Sequence, residues 1–162
     1  MNKEDYVLRI ASATPVQLVV INHELIVEFL AEALATADNP DEAPFFAYNI
    51  DKAKNGLLQL IEGLDFEIEI AHELYNLYMY ANERLTKAFF GRDREASKEI
   101  IIEVQEMFQT LLEGWQSIVD TPDDRILEET IPEGHQVYAG LTYGRSGLSE
   151  YVKEDDSRGF KA

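Results

Sequence analysis

The stretch 44-PFFAYNIDKAKNGLLQLIEGL-64 decides the fold. Its apolar residues Phe46, Ile50, Ala53, Leu57, Leu60 and Leu64 are spaced 4, 3, 4, 3 and 4 apart. That alternation puts all six on one stripe of an α-helix, the seam of helices that pack side by side. Gly63 marks the end of this helix, and Leu64-Asp65-Phe66 the turn after it. A single helix with such a stripe has to be covered by others.

The flanking sequence supplies them. Upstream, Thr14-Pro15 is a helix start, with a hydroxyl N-cap and Pro in the first turn, where no N–H is needed. The spacing predicts a helix over residues 15–37, stopped by Asp38-Asn39-Pro40. Downstream, Ala71, Leu74, Tyr78, Ala81, Leu85 and Ala88 predict a third helix over 67–90, closed by Gly91. Ile100, Val104, Met107, Leu111 and Ile118, with Trp115 beside them, predict a fourth over 94–119. Strand signals are weak, because apolar alternation never persists. Short connections between long helices make neighbours antiparallel, so the expected fold is all-α, an up-down four-helix bundle over residues 1–120.

After Asp120 the texture changes. Residues 121–162 hold five of the nine Gly and two of the five Pro, with no sustained heptad. This is an irregular C-terminal extension. Its Val137, Tyr138, Leu141, Tyr143 and Leu148 make it too aromatic for an inert linker. They suit a lid over the bundle or a docking motif for a further protein.

Composition narrows the function. The 162 residues suffice for one buried core. The chain carries 14 Lys and Arg against 31 Asp and Glu, a net charge of −17. That argues against a nucleic-acid binder and against attraction to anionic membranes. With no Cys there is no disulfide, thiolate metal site or Cys nucleophile. MNKEDYVLRI lacks the basic and apolar regions of a signal peptide, and no run approaches the ~20 apolar residues of a membrane span. The expected location is the cytosol.

Motifs for chemistry are scarce. A di-iron bundle needs Glu-x-x-His on two helices and a Glu from each of the other two. Only Glu69-Ile70-Ala71-His72 matches, and a chain this acidic produces one such match by chance. Ser97 and Ser117 sit among polar residues with no nucleophile elbow. Gly140, Gly144 and Gly147 follow no phosphate-binding pattern. The sequence therefore predicts no enzyme, no cofactor and no metal.

What stands out is surplus apolar surface. Beside its seam the fourth helix carries Ile101, Phe108, Leu112, Trp115 and Val119. The third adds Ile70, Tyr75, Leu77, Met79 and Tyr80, the second adds Leu58 and Ile61, and the first is apolar nearly all round. Some of these widen the core. The rest would leave grooves fit to bind a helical partner. Candidate groove residues are Leu58, Ile61, Tyr75, Leu77, Tyr78, Ile101, Phe108, Leu112 and Trp115.

The same residues carry a family likeness. Ser12-Ala13-Thr14-Pro15-Val16-Gln17-Leu18 with Phe29-Leu30 and Ala33 forms a first block. Leu64-Asp65, Ile70-Ala71, Leu74, Leu77-Tyr78, Tyr80, Leu85 and Ala88 form a second, and Val104, Leu111 and Trp115 a third. In this order the chain resembles FliS, the flagellin-specific secretion chaperone family of bacterial flagella. The resemblance implies an antiparallel bundle in the bacterial cytosol. It would bind the disordered C-terminal segment of flagellin in apolar grooves, prevent premature polymerisation, and present the client to the flagellar export gate. It also implies that Tyr6 covers the bundle as an N-terminal cap. Where the family commonly has Leu-Tyr-Asp-Gly, this chain has Asn22-His23-Glu24-Leu25, and Phe89-Phe90 follows Ala88 where a small polar residue is usual. These departures leave open an adaptor of flagellar assembly with a different client, and the apolar first helix would also serve a homodimer.

Overall fold

The computed structural model describes residues 2–119, which form five α-helices. They are α1 (Lys3–Ser12), α2 (Pro15–Thr36), α3 (Ala43–Glu62), α4 (Glu69–Phe90) and α5 (Arg94–Val119), with a 3₁₀ turn at Pro40–Glu42 before α3. No β-strand occurs among the described residues. The tail residues Val137, Tyr138, Leu141, Tyr143 and Leu148 lie outside them.

Several helix ends have a local cause. At the start of α2 the Thr14 hydroxyl accepts from the Gln17 N–H at 3.2 Å, and the Gln17 side chain accepts from the Thr14 N–H at 2.8 Å. This capping box satisfies two donors that a helix start leaves without partners. Gly63 ends α3, its N–H reaching back to the Gln59 carbonyl at 3.1 Å. The Asp93 carboxylate accepts from the N–H groups of Glu95 and Ala96 and holds the first turn of α5.

α2 packs against α3 and α5, and α4 packs against the same two helices. The four long helices are thus neighbours in a ring. All six residues of the α3 seam are buried, and so are Ala71, Leu74, Tyr78, Ala81, Leu85 and Ala88 of α4. Lys98 at the start of α5 reaches Asp38 after α2 at 2.8 Å.

Two expectations need correction. The seam of α5 is rotated from the one its spacing suggested. Ile100 and Val104 are buried, but Met107, Leu111 and Ile118 are only partly so, while Ile101, Phe108, Leu112 and Trp115 lie in the core. A helix that closes a ring meets neighbours on both flanks, so its core stripe is centred between the two sequence stripes. The second correction is at the N-terminus. The spacing predicts no helix before residue 15, yet residues 3–12 form α1, capped by the Asn2 side chain on the Asp5 N–H. Tyr6 and Ile10, four residues apart on one face, are buried.

This added helix accounts for the unusual α2. Leu18 through His23 are six consecutive buried residues, more than a ring of four helices can cover on one side. α1 packs on α2 and shields its outer face, held by Tyr6, Ile10 and the two-pronged ion pair of Arg9 with Glu24.

Candidate functional site

The centre of the molecule holds a polar pair in apolar surroundings. Asn22 and His23 of α2 are both fully buried. The His23 Nδ1–H donates to the Val19 carbonyl at 2.8 Å, which leaves Nε2 to accept from the Tyr78 hydroxyl at 3.2 Å. The imidazole also lies against Phe108 and Trp115, with ring centroids 5.4 and 6.3 Å away. Tyr78 and Phe108 stack at 6.0 Å. Burial pulls the His23 pKa down to about 4, only partly opposed by the bond to Val19. The imidazole is therefore neutral at physiological pH. Asn22 is less well served, since neither atom of its amide has a hydrogen-bond partner among the described residues. Gly56 of α3 makes room for it: a Cβ there would stand 3.0 Å from both Asn22 Oδ1 and Ile26 Cγ1.

These observations place the nine candidate groove residues. Tyr78, Ile101, Phe108, Leu112 and Trp115 belong to the core. Ile61 is partly buried, while Leu58, Tyr75 and Leu77 are exposed. The exposed ones do not share one surface. At 100° per residue, Tyr75 falls on one flank of the α4 core stripe, and Ile70, Leu77 and Tyr80 fall on the other. Contacts identify each flank. The Tyr80 hydroxyl donates to Glu103 of α5 at 2.9 Å, and Arg84 pairs with the same carboxylate at 3.0 Å. On the Tyr75 flank, Lys54 of α3 sits over the Phe89 ring.

Two apolar furrows thus run beside α4. The one toward α5 offers Ile70, Leu77 and Tyr80, with Met107 and Leu111 partly buried on the facing helix. The one toward α3 offers Leu58, Ile61 and Tyr75, and Phe66 closes its end by packing edge-on against Tyr75 at 5.5 Å. Sequence reasoning named Ile70 and Tyr80 as surplus without counting them as groove residues, and did not single out Phe66. Its place in a turn hid it.

Tyr6 lies elsewhere, under α1. Its hydroxyl is buried, and burial, with the carboxylates of Glu28 and Glu24 adding to it, raises the phenol well above its ordinary pKa. A cavity of about 190 Å³ opens between α1, the first turns of α2 and the end of α5. Arg9, Ser12, Gln17, Val20, Ile21 and Val119 line it.

His72 of the Glu69-x-x-His72 match is exposed, and its Nε2 bonds to the Phe66 carbonyl at 2.9 Å. Among the described residues no three potential ligands gather around a point, and no helix is long and apolar enough to cross a membrane.

A helical chain with this order of caps, seams and exposed furrows can be compared with known families. The family described as Flagellar protein FliS matches residues 3–122, which is most of the chain and all of its described helices. The chain belongs to the FliS family. No curated protein matches it as a relative. FliS proteins are flagellar secretion chaperones, and an exposed apolar surface on an acidic helical body suits such a role. The FliS match begins at Lys3, so it includes α1.

Proposed function

We propose that this FliS-family protein is a cytosolic, non-enzymatic export chaperone built on an antiparallel four-helix bundle. It binds the C-terminal segment of flagellin along the two furrows beside α4. The observation that carries this reading is the pair of furrows itself. Leu58, Phe66, Ile70, Tyr75, Leu77 and Tyr80 are large apolar side chains, each more than a third exposed, grouped on one helix and its neighbours. A disordered client that folds on binding forfeits about 2–5 kcal/mol to ordering, so it needs a broad apolar contact. Furrows on both flanks of one helix provide that for a segment wrapped around it.

The buried candidates Tyr78, Ile101, Phe108, Leu112 and Trp115 form the floor beneath the furrows and fix the spacing of α4 and α5. Asn22 and His23 reach no surface, so they act on client choice only through that floor. Holding the segment keeps flagellin from polymerising before export, and the loaded chaperone is what the export gate receives. α1, with Tyr6, is the N-terminal cap, and the tail residues Val137 to Leu148 serve as a lid or docking motif. Titration with a peptide of the flagellin C-terminus from the same cell tests the reading. Binding at or below a few tens of micromolar is expected, and Leu77→Asp should weaken it at least tenfold. No binding at that concentration would sink it.

A further inference from the structure

α5 carries a glycine that the fold does not need. Gly56 and Gly91 are explained by what surrounds them: a Cβ would stand 3.0 Å from Asn22 and Ile26 at the first, and 2.8 Å from the Ser97 hydroxyl at the second. At Gly114 a Cβ meets no atom within 4 Å. The residue is exposed, lies inside α5 and has no left-handed backbone angle. Its carbonyl accepts from the Ser117 hydroxyl at 2.8 Å, a bond that any residue at 114 could make. Apart from Pro, Gly is the least favourable residue in a helix interior. Ala at this position would strengthen α5 and clash with nothing.

The missing side chain leaves a gap in an apolar row. Met107, Leu111, Gly114 and Ile118 follow at steps of 4, 3 and 4 along α5, and the three apolar members are only partly buried. Glu103, which holds Tyr80 and Arg84 of α4, stands one turn before Met107 on the same flank. Leu111, Gly114, Trp115 and Ile118 are spaced i, i+3, i+4 and i+7, the four corners of a hole that receives a side chain when helices pack. Three corners are large and apolar, and the fourth is bare. Contacts fix what stands opposite. The Ser97 hydroxyl bonds the Ala88 carbonyl at 3.0 Å and Glu103 meets Arg84 and Tyr80, so α4 and α5 run in opposite directions. Carried on to Gly114, that register brings Ala71 and its exposed neighbour Ile70 opposite. Gly114 thus opens a notch in the wall of the α4–α5 furrow, between Leu111, Ile118 and Ile70.

We infer that this notch seats one large aliphatic side chain of the client segment, and that Gly114 thereby sets the register of the client in the furrow. The inference rests on the proposed binding of the flagellin segment beside α4. A charged or amide side chain would lose its water in an apolar hole without gaining a partner. Thr110 and Ser117 at its outer edge direct their hydroxyl protons onto the Glu106 and Gly114 carbonyls, so they offer no donor to a polar group. An aliphatic side chain gains contact with Leu111, Ile118 and Ile70 at once. With no Cβ at 114, the client backbone also approaches α5 more closely than any other residue there would allow.

The test sets stability against binding. Full-length wild type, Gly114→Ala and Gly114→Leu are melted and then titrated with the flagellin C-terminal peptide. Both variants should melt about 2–4 °C higher, since Ala and Leu are strong helix formers. Peptide affinity should nevertheless fall about threefold in Gly114→Ala and at least tenfold in Gly114→Leu, because the seat is filled. Shortening the large aliphatic residues of the peptide to Ala, one at a time, then finds the inserted side chain. One such change should cost wild type at least tenfold but Gly114→Leu less than threefold. A lower melting temperature in Gly114→Ala would show that the fold itself requires the glycine and would overturn the inference. So would unchanged or tighter binding to Gly114→Leu, or the lack of any such peptide position. Leu77→Asp separates this inference from the reading beneath it. Binding that Leu77→Asp weakens and Gly114→Leu does not overturns the notch alone, whereas no binding to wild type overturns the client reading and the notch with it.

Discussion

Mild acid should destabilise this protein through a single side chain. His23 is fully buried, and its nearest neighbours are Tyr78 of α4, Phe108 and Trp115 of α5 and the Val19 carbonyl of its own helix. None of these carries a charge that would stabilise an imidazolium. In the unfolded chain the ring takes up a proton near its ordinary pKa of 6.5, whereas in the folded chain it resists to about 4. The unfolded state therefore binds more protons between these values, and stability falls as the pH drops through that window. From pH 7 to pH 5 the cost is about 2 kcal/mol, roughly a twentyfold fall in the ratio of folded to unfolded chain. The loss goes on growing below pH 5 and levels off only once the pH is under about 4. Urea denaturation at pH 7 and pH 5 measures it. At pH 5 most carboxylates are still ionised, and what they contribute is common to wild type and variant. His23→Leu should be less stable than wild type at pH 7, because the Tyr78 hydroxyl loses its acceptor, yet it should lose about 2 kcal/mol less between the two pH values. Equal losses in the two proteins would refute the reasoning, and so would an imidazole NMR signal from His23 titrating near 6.5.

Three further perturbations test the packing. Gly56→Ala should lower the melting temperature despite the better helix propensity of Ala, because the new methyl meets Asn22 and Ile26 at 3.0 Å; overpacking of this kind costs about 1–3 kcal/mol. Adding Asn22→Ala should recover part of that loss, and a double-mutant cycle reads the coupling. Leu85→Ala, at a fully buried position of α4, should cost about 2–5 kcal/mol in chemical denaturation without changing the helical signal of the folded state. Tyr6→Ala should speed amide hydrogen exchange in residues 3–12 and in the first turns of α2 while leaving α4 protected, since α1 is held to the rest mainly by Tyr6, Ile10 and the Arg9–Glu24 pair.

The sequence by itself determined the long helices and most of their ends. The bounds of α5, the Thr14-Pro15 start of α2 and the Gly63 stop of α3 were legible because caps and breakers act through the local backbone. The cores of α3 and α4 were legible because a single clear stripe leaves one choice of buried face. α1 was harder to see. Asn2 capping Asp5 and the Tyr6–Ile10 step were present in the sequence, but ten residues are marginal as an isolated helix, and what makes them one is docking on α2. Tertiary structure alone decided which surplus apolar residues would be hidden. Ile101, Phe108 and Trp115 resemble Leu58, Tyr75 and Leu77 in character and spacing, yet the first three face the ring and the others face water. Where a helix has two apolar stripes, burial depends on the rotation that its neighbours impose, and no spacing along one chain segment encodes that rotation.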